Sequence, residues 1–397
     1  MASSAQAETG AALPRNRAAA PLSVEQGQGR RDLKRFFAVA EALYADDPNW
    51  IAPLRFERLR HFDPRRNPFF AHADFAFWTA WRGGRPVGRI SAQIDRAQLD
   101  RSGETIGHFG CLEAEDDPEV FAKLCGTAET WLRERGMTEV RGPFSLSIND
   151  ECGLLVEGFD SPACFMMNYA PRYYAARLEE QGYRKAKDMV AYYYDVAAAE
   201  PPAARSFLEN AQRAKKLTFR DADLSDVSGE LRHIKEIFND AWSDNWGFVP
   251  MTDADVTYLE TNLKPLLTAD SICFGMVEGE AVAMCVILPN MNEAFAGLRG
   301  RLLPFGWLKL LWRLKVRRLK SGRMAIMGVK RRFHGTTRGT ALALGVIDRI
   351  RSHHRKRGLV WAELSWVLED NLAARRIVES WGGEAYKTYR IYEKSLS

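Results

Sequence analysis

Apolar and polar positions along this chain follow first a helical and then a strand period, and the same succession occurs twice. In the first half, Phe121–Arg135 carries large apolar residues at helical spacing and Gly136 stops it. Thr138–Arg141 then reads as a strand, and Asn149 follows. In the second half a helical pattern places Leu342, Val346, Ile347 and Ile350 on one side and ends at Gly358. Leu359–Ser365 reads as a strand, and Asn371 follows. Both Gly-to-Asn intervals are 13 residues, RGMTEVRGPFSLSIN against RGLVWAELSWVLEDN. Each half then predicts a short helix stopped at a glycine, Gly182 and Gly382, and a final aromatic strand, KDMVAYYYD and KTYRIYEK. The first copy has 22 more residues between its Asn and its last helix, roughly Glu151–Pro171. Two related mixed α/β units joined near Ala197–Pro202 are the architecture this pattern predicts.

The copies differ where the helix opens. In the second, the apolar run Ala325–Val329 leads through a loop rich in Gly, Thr and Arg into the helix. Strand, glycine loop and helix N-terminus together present backbone N–H groups to a phosphate, and Lys330, Arg331, Arg332 and Arg338 add positive charge. The spacing is neither G-x-x-x-x-G-K-[ST] nor G-x-G-x-x-G; it suits the pyrophosphate of a carrier such as coenzyme A. The first copy instead has Glu113, Glu115, Asp116 and Asp117 at its helix start. Those residues favour the helix dipole but repel a pyrophosphate, so the second copy is expected to hold the carrier.

These features resemble the GNAT superfamily of acyl-CoA N-acyltransferases. Its loop, [RQ]-x-x-G-x-[GA] or R-G-x-G-x-G, falls on His334, Gly335, Thr337 and Gly339, departing at the Arg/Gln and at the middle Gly. The family pattern N-x-x-A-x(7)-G is matched by Asn371, Ala374 and Gly382, while the usual Tyr seven residues after the Asn is Val378. Within the superfamily the chain resembles the tandem-GNAT proteins of bacterial sphingolipid synthesis, the bacterial ceramide synthases. The blocks that carry this are Asp46–Phe70, Arg141–Asp160, NDAWSDNWGFVP and ELSWVLEDN. The resemblance implies an α/β fold with a mixed sheet in two tandem GNAT-like domains. It also implies fatty acyl transfer from acyl-CoA, a co-substrate with no resident cofactor, to the amine of a sphingoid base, 3-oxosphinganine or sphinganine. The carrier loop would be His334, Gly335, Thr336, Thr337, Arg338, Gly339 and Thr340, with Asn371 beside it. Backbone N–H groups of Met327–Val329 would face the thioester oxygen.

Composition adds bounds. The 397 residues, 46% hydrophobic and 27% charged, make a globular protein with room for two domains. We expect a disordered tail over 1–30, an N-terminal domain over 31–198 that does not bind the carrier, and a C-terminal domain over 203–397 that does. The tail lacks the apolar core of a signal peptide. Six scattered cysteines read as buried thiols of a reducing cytoplasm, and no H-E-x-x-H or Cys/His cluster points to a metal. The net charge of +5 hides an asymmetry: from Ala294 to Ile347 there are 13 Lys/Arg and no acid, leaving −8 elsewhere.

Inside that window, 299–323 reads as a basic amphipathic insertion. Lys309, Arg313, Arg317 and Lys320 form a stripe, and Trp307, Trp312 and several leucines an apolar face. It is too broken by charge to span a bilayer. Packing on the other domain, docking on an anionic membrane surface, and nucleic-acid binding are its three readings. No known nucleic-acid motif appears, so no nucleic-acid partner is expected. Membrane docking places the protein in the cytoplasm, peripheral on the inner membrane.

An amine attacking a thioester must first lose a proton. Glu363, alone among apolar residues in WAELSW, is the first candidate base, or else the partner of a loop arginine. Asp244, with Asn245 and Trp246, is a second candidate on the acceptor side. Tyr389 and Tyr392 are candidates for the acid that Val378 cannot be, Asn371 completes the catalytic set, and Asn149, Asp150 and Glu151 are expected near the inter-domain cleft. Two other functions fit the same features. One is tRNA-dependent aminoacyl transfer of the tandem-GNAT type, and the other a non-catalytic acyl-CoA-binding membrane protein.

Overall fold

A computed structural model describes residues 20–199, 202–215 and 217–397. Its strands are β1 (Leu22–Gln26), β2 (Ala73–Arg82), β3 (Arg85–Asp95), β4 (Ile106–Ala114), β5 (Glu139–Gly142), β6 (Leu154–Glu157), β7 (Arg184–Asp195), β8 (Leu217–Asp221), β9 (Ile272–Val277), β10 (Glu280–Pro289), β11 (Ser321–Val329), β12 (Trp361–Leu368) and β13 (Glu384–Ser395). The expected tail lies outside the described residues up to 19. Beyond that it is structured: β1 pairs β2, and a helix begins at Gly29. The alternation in LSVEQ fits an edge strand with one half-buried face.

All strands join one mixed sheet in the order β1-β2-β3-β4-β5-β13-β7-β12-β11-β10-β9-β8, with β6 also on β13. Only β4–β5 and β11–β12 are parallel, each crossover being a long helix: Pro118–Arg133 in the first half and Thr337–Lys356 in the second. Apolar side chains of these helices, Phe121 and Leu124 in one and Leu342 and Val346 in the other, are fully buried against the sheet.

The two halves exchange their last strands. β13, from the end of the chain, pairs β5 of the first half, while β7, from the first half, pairs β12 of the second. Side chains follow the exchange. The Tyr192 hydroxyl reaches Glu379 at 3.2 Å, and Tyr392 reaches Glu179 at 3.1 Å, each on the short helix of the opposite half. The segments 31–198 and 203–397 therefore do not each own a complete sheet, and neither half can leave without breaking four ladders, β7–β12, β7–β13, β5–β13 and β6–β13.

The 22-residue insertion of the first half lies on the second. Asn290 accepts from the Phe165 N–H at 3.0 Å, Asn292 donates to the Ala163 carbonyl at 2.9 Å, and buried Lys387 donates to the Ser161 carbonyl at 2.8 Å. Burial lowers the pKa of that ammonium.

Candidate active site

β11 and β12 pair for four residues, from Ser321↔Trp361 to Met324↔Leu364, and no further. The β10–β11 register shifts between Val286 and Ile287, opposite Ala325, and the β12–β7 register shifts between Leu364 and Val367. Irregularities on both strands at one level turn them apart. A central strand should be covered on both faces, yet Met324, Ala325, Ile326 and Met327 are only half-buried. The result is a parting of β11 from β12 at the middle of the sheet.

Backbone direction follows from one bond. The Lys330 N–H donates to the Val282 carbonyl at 2.8 Å, so Lys330 and, by alternation, Gly328 face β10. Met327 and Val329 therefore turn their backbone groups toward the side that β12 has left. The Met327 carbonyl accepts from the Trp242 indole at 3.4 Å, and Trp242 lies 6.1 Å from the Trp366 ring of β12. The Val329 carbonyl accepts from His334 at 2.7 Å, which folds the loop back on the strand end.

The loop has the geometry of an anion cradle. Gly335 has φ +67°, where a side chain is strained, and Thr336 caps the helix by accepting from the Gly339 N–H at 3.0 Å. A Cβ on Gly339 would lie 2.1 Å from the Phe333 carbonyl oxygen, so this glycine permits the loop to close on its own helix. Thr340 bonds back to Thr336 at 3.3 Å. Thr337 and Arg338 remain in the first turn, where N–H groups have no carbonyl partner within the helix.

Charge at this loop is smaller than its sequence implies. Lys330 and Arg332 pair with Glu280, and Arg331 pairs at 3.0 Å with Asp244. Arg338 has no ion pair among the described residues. Asp244 is thus an exposed partner of the basic loop and does not sit among the acceptor-side groups. The preceding helix ends at Ala241, which aims Asp244 at Arg331.

Glu363 is fully buried. Its carboxylate accepts from Ser365 at 2.5 Å and from the Tyr386 hydroxyl, and Arg323, its register partner on β11, stands 3.7 Å away. The arginine beside it is therefore a strand residue and not a loop arginine. Arg323 also donates to Ser365 at 2.8 Å and toward the Phe165 and Met166 carbonyls at 3.4 and 3.3 Å. Enclosed this way, Glu363 presents no surface to a substrate, whereas its partner Tyr386 is half-buried. Burial and the Glu363 charge push the Tyr386 hydroxyl well above the usual tyrosine range, so it stays protonated at neutral pH.

The remaining candidates fall elsewhere. Tyr389 is fully buried between β6 and β7, with its pKa raised by burial and then by Glu363, and Tyr392 is committed to Glu179. Tyr386, three residues earlier in the same aromatic strand, was missed. Asn371 caps its helix by accepting from the Ala374 N–H at 3.1 Å, which is why Asn and Ala recur at this spacing. Asn149 donates to the Val249 carbonyl at 3.2 Å, Asp150 lies 3.4 Å from His61, and Glu151 pairs with Arg58. Of the three, Asn149 alone bonds across to the second half through these contacts, while Asp150 and Glu151 pair within the first, and all three lie outside the group around Glu363.

At the matching positions of the first half, β4–β5 places His108 beside Arg141 where the second has Arg323 beside Glu363. Burial, then Arg141, lowers His108 to about 3. The helix start there is capped by Asp117, which also pairs with Arg82 at 2.6 Å. That half has neither the carboxylate nor the basic glycine loop.

The amphipathic segment is shorter than expected: a helix over Gly306–Trp312 with a π-helical turn over Arg313–Arg317. Leu310 and Leu314 pack on Leu54, Phe295 and Leu298. Seven of the twelve exposed large apolar side chains of the described residues lie between Leu303 and Val316, with Leu303 at 80% and Phe305 at 72% exposure. Trp307 and Trp312 are among them, and Lys309, Arg317 and Lys320 surround them, also exposed. Arg313 leaves the expected stripe. It donates to the carbonyls of Ala294 and Ala296 at 2.8 and 2.5 Å, closing the end of the helix beneath. No helix among the described residues is long and apolar enough to cross a membrane.

No family model matches the chain. Over 97% of its length and all of the relative's, it is 47% identical to a protein named bacterial ceramide synthase from Caulobacter vibrioides (strain NA1000 / CB15N). It is 42% identical to Protein YghO of Escherichia coli (strain K12), covering 92% of this chain and 94% of that one. Among solved structures it is similar to a tandem GNAT protein from the clavulanic acid biosynthesis pathway, with TM-score 0.56 at 12% identity, covering 95% of this chain and 99% of the other. It is also similar to a GCN5-related N-acetyltransferase from Sphaerobacter thermophilus, with TM-score 0.51 at 14% identity over 95% and 97%. Those two likenesses are of fold. Sequence kinship over the whole chain decides the rest: the chain belongs to the bacterial ceramide synthase family and is an acyl-CoA-dependent N-acyltransferase.

Proposed function

We propose that this enzyme transfers a fatty acyl group from coenzyme A to the primary amine of a sphingoid base, 3-oxosphinganine or sphinganine, while resting on the anionic inner face of the cytoplasmic membrane. The observation that carries the reading is the course of β11. The strand starts directly after the exposed apolar and basic segment and ends at the glycine loop, with its parting from β12, read as the cleft, between. Nine residues at about 3.3 Å each separate a lipid-facing surface from a phosphate cradle by roughly 30 Å.

In this reading the N–H groups of Thr337 and Arg338 take the pyrophosphate, and the pantetheine arm runs along the open edge of β11. The thioester oxygen lies against the Met327 or Val329 N–H, which stabilises it as it becomes an oxyanion. The sphingoid base, an ammonium in water, gives one proton to solvent as it enters the cleft; its neutral nitrogen attacks the carbonyl carbon, an amide bond forms and the C–S bond breaks. The proton that the attacking nitrogen still has to lose passes to the Tyr386 oxygen as the phenolic proton moves to Glu363. Reversal of that transfer protonates the departing thiolate, so one couple serves both steps. Asn371 contributes by fixing the helix beside the loop.

Lipids of a strain lacking this gene provide the test, read by mass spectrometry. Free long-chain base should accumulate and N-acylated base should vanish, both reversed by the intact gene. Unchanged N-acylated base would overturn the reading. In vitro, activity that survives nuclease treatment separates it from tRNA-dependent transfer, and turnover itself separates it from a carrier sensor.

A further inference from the structure

Phe165 and Met166 are neighbours in the insertion, yet they belong to different apolar clusters. Phe165 lies edge-on to Phe295 and packs against the same buried cluster as Leu310 and Leu314, the inner face of the exposed segment. Met166 packs in the cluster that holds Trp242, Ala325 and Ile326 at the cleft. One dipeptide thus connects the lipid-facing surface to the reaction centre. Both side chains are half-buried. Their carbonyls point to Arg323, at 3.4 and 3.3 Å, and the Phe165 N–H is taken by Asn290, so these backbone groups are satisfied away from the seam. Met166 sits at φ +63°, a conformation a non-glycine residue rarely takes. Such positions cluster where function requires a side chain to point a particular way.

The two ends of β11 assign the occupant. Coenzyme A is water-borne and reaches the strand at its loop end, so its acyl chain arrives from that side. The opposite end follows Lys320, the last residue of the basic segment, whose seven exposed apolar side chains lie in a stretch, 294–347, without an acidic residue; the Glu293 carboxylate beside it is taken up by the Lys320 N–H and the Ser321 hydroxyl. An amine with a long alkyl tail, held in an anionic bilayer, meets the protein there. We infer that the seam beside Phe165 and Met166 binds the single alkyl chain of the amine acceptor and leads its amine into the cleft at Ala325. Methionine suits such a wall, since an unbranched polarisable side chain adapts to a sliding chain. This inference rests on the lipid-amine reading above.

The test compares octadecylamine in anionic vesicles with hexylamine in buffer, for wild type, Met166→Trp and Met166→Leu. Met166→Trp should raise KM for the long amine by about tenfold or more, the scale for a few misfitted methylenes. The same variant should leave kcat/KM for hexylamine and KM for acyl-CoA near wild type, and Met166→Leu should retain the long-amine KM. Equal losses on both amines, or a raised acyl-CoA KM, would overturn the seam. An independent arm needs no variant: a long-chain amine with a mid-chain diazirine should label the peptide containing Phe165 and Met166. Label from a diazirine acyl-CoA at those residues, or amine label confined elsewhere, contradicts the assignment. Failure to acylate either amine removes the lipid-amine reading itself. Acylation of both with an unaltered chain-length preference in Met166→Trp removes the seam alone.

Discussion

Glu363 and Tyr386 are read as one proton couple, and a double-variant experiment tests that directly. Glu363→Gln keeps the shape and removes the charge facing Arg323 at 3.7 Å, a pair worth about 4 kcal/mol at an effective dielectric constant of 20. Because the pair is buried, the lone guanidinium left behind should lower unfolding free energy by about 3–5 kcal/mol. Tyr386→Phe leaves that pair intact and removes one hydrogen bond to a charged acceptor, costing about 1.5–3 kcal/mol. Turnover should fall by about 10²-fold in each variant, the scale of a lost general acid or base. Residues acting as one unit are not additive, so the double variant should also lie near 10²-fold. Urea unfolding gives the stabilities, and single-turnover acyl transfer at saturating substrates gives the rates. A double variant near 10⁴-fold would show that the two act independently. Wild-type turnover in folded Glu363→Gln would reduce the carboxylate to a strut for Arg323.

Three further outcomes follow from the geometry. In the loop, Gly335→Ala meets only its φ, about 1–2 kcal/mol, and should weaken acyl-CoA binding with the fold intact; Gly339→Ala meets the Phe333 carbonyl and should lower Tm as well. Changing Lys309, Arg317 and Lys320 together to Gln should remove about 3 kcal/mol of attraction to anionic vesicles at low salt, seen by sedimentation. Arg313→Gln should act on stability instead, because its carbonyl partners are internal. For His108, whose folded pKa of about 3 lies below the unfolded value near 6.5, the neutral form is favoured on folding. Its contribution is complete above about pH 6.5 and is lost as pH falls toward 3, at up to about 1.4 kcal/mol per unit. His108→Gln should flatten the acid limb of a stability–pH curve, and an unchanged limb would show that the ring protonates freely.

What the sequence made legible was local. The strand, glycine loop and helix of Ala325–Lys356 stand where the apolar period changes, and Thr336 and Gly339 act where such a loop needs a cap and a missing side chain. The repeat was legible because helix stops and strand patterns are short-range signals. Strand exchange was not, since KDMVAYYYD and KTYRIYEK carry the same pattern and only tertiary contacts decide which half each completes. The same limit applied to Glu363: a lone carboxylate in an apolar strand announces a partner, but Arg323 is found only once the parallel register is known. In β13 the register also decides among tyrosines, setting Tyr386 against Glu363 and sinking Tyr389 between β6 and β7. The amphipathic segment was drawn too long, as a run of charges and leucines does not show where Pro304 and Gly306 delay the helix or where Ser321 starts a strand.

One measurement reaches the central claim: stoichiometric reconstitution with purified protein, a long-chain acyl-CoA and sphinganine or 3-oxosphinganine held in anionic vesicles. The account predicts one N-acylated base formed for each free coenzyme A thiol released, with the acyl group on nitrogen by fragmentation mass spectrometry and no requirement for RNA. Thiol release without amide, or acylation on oxygen, would contradict it.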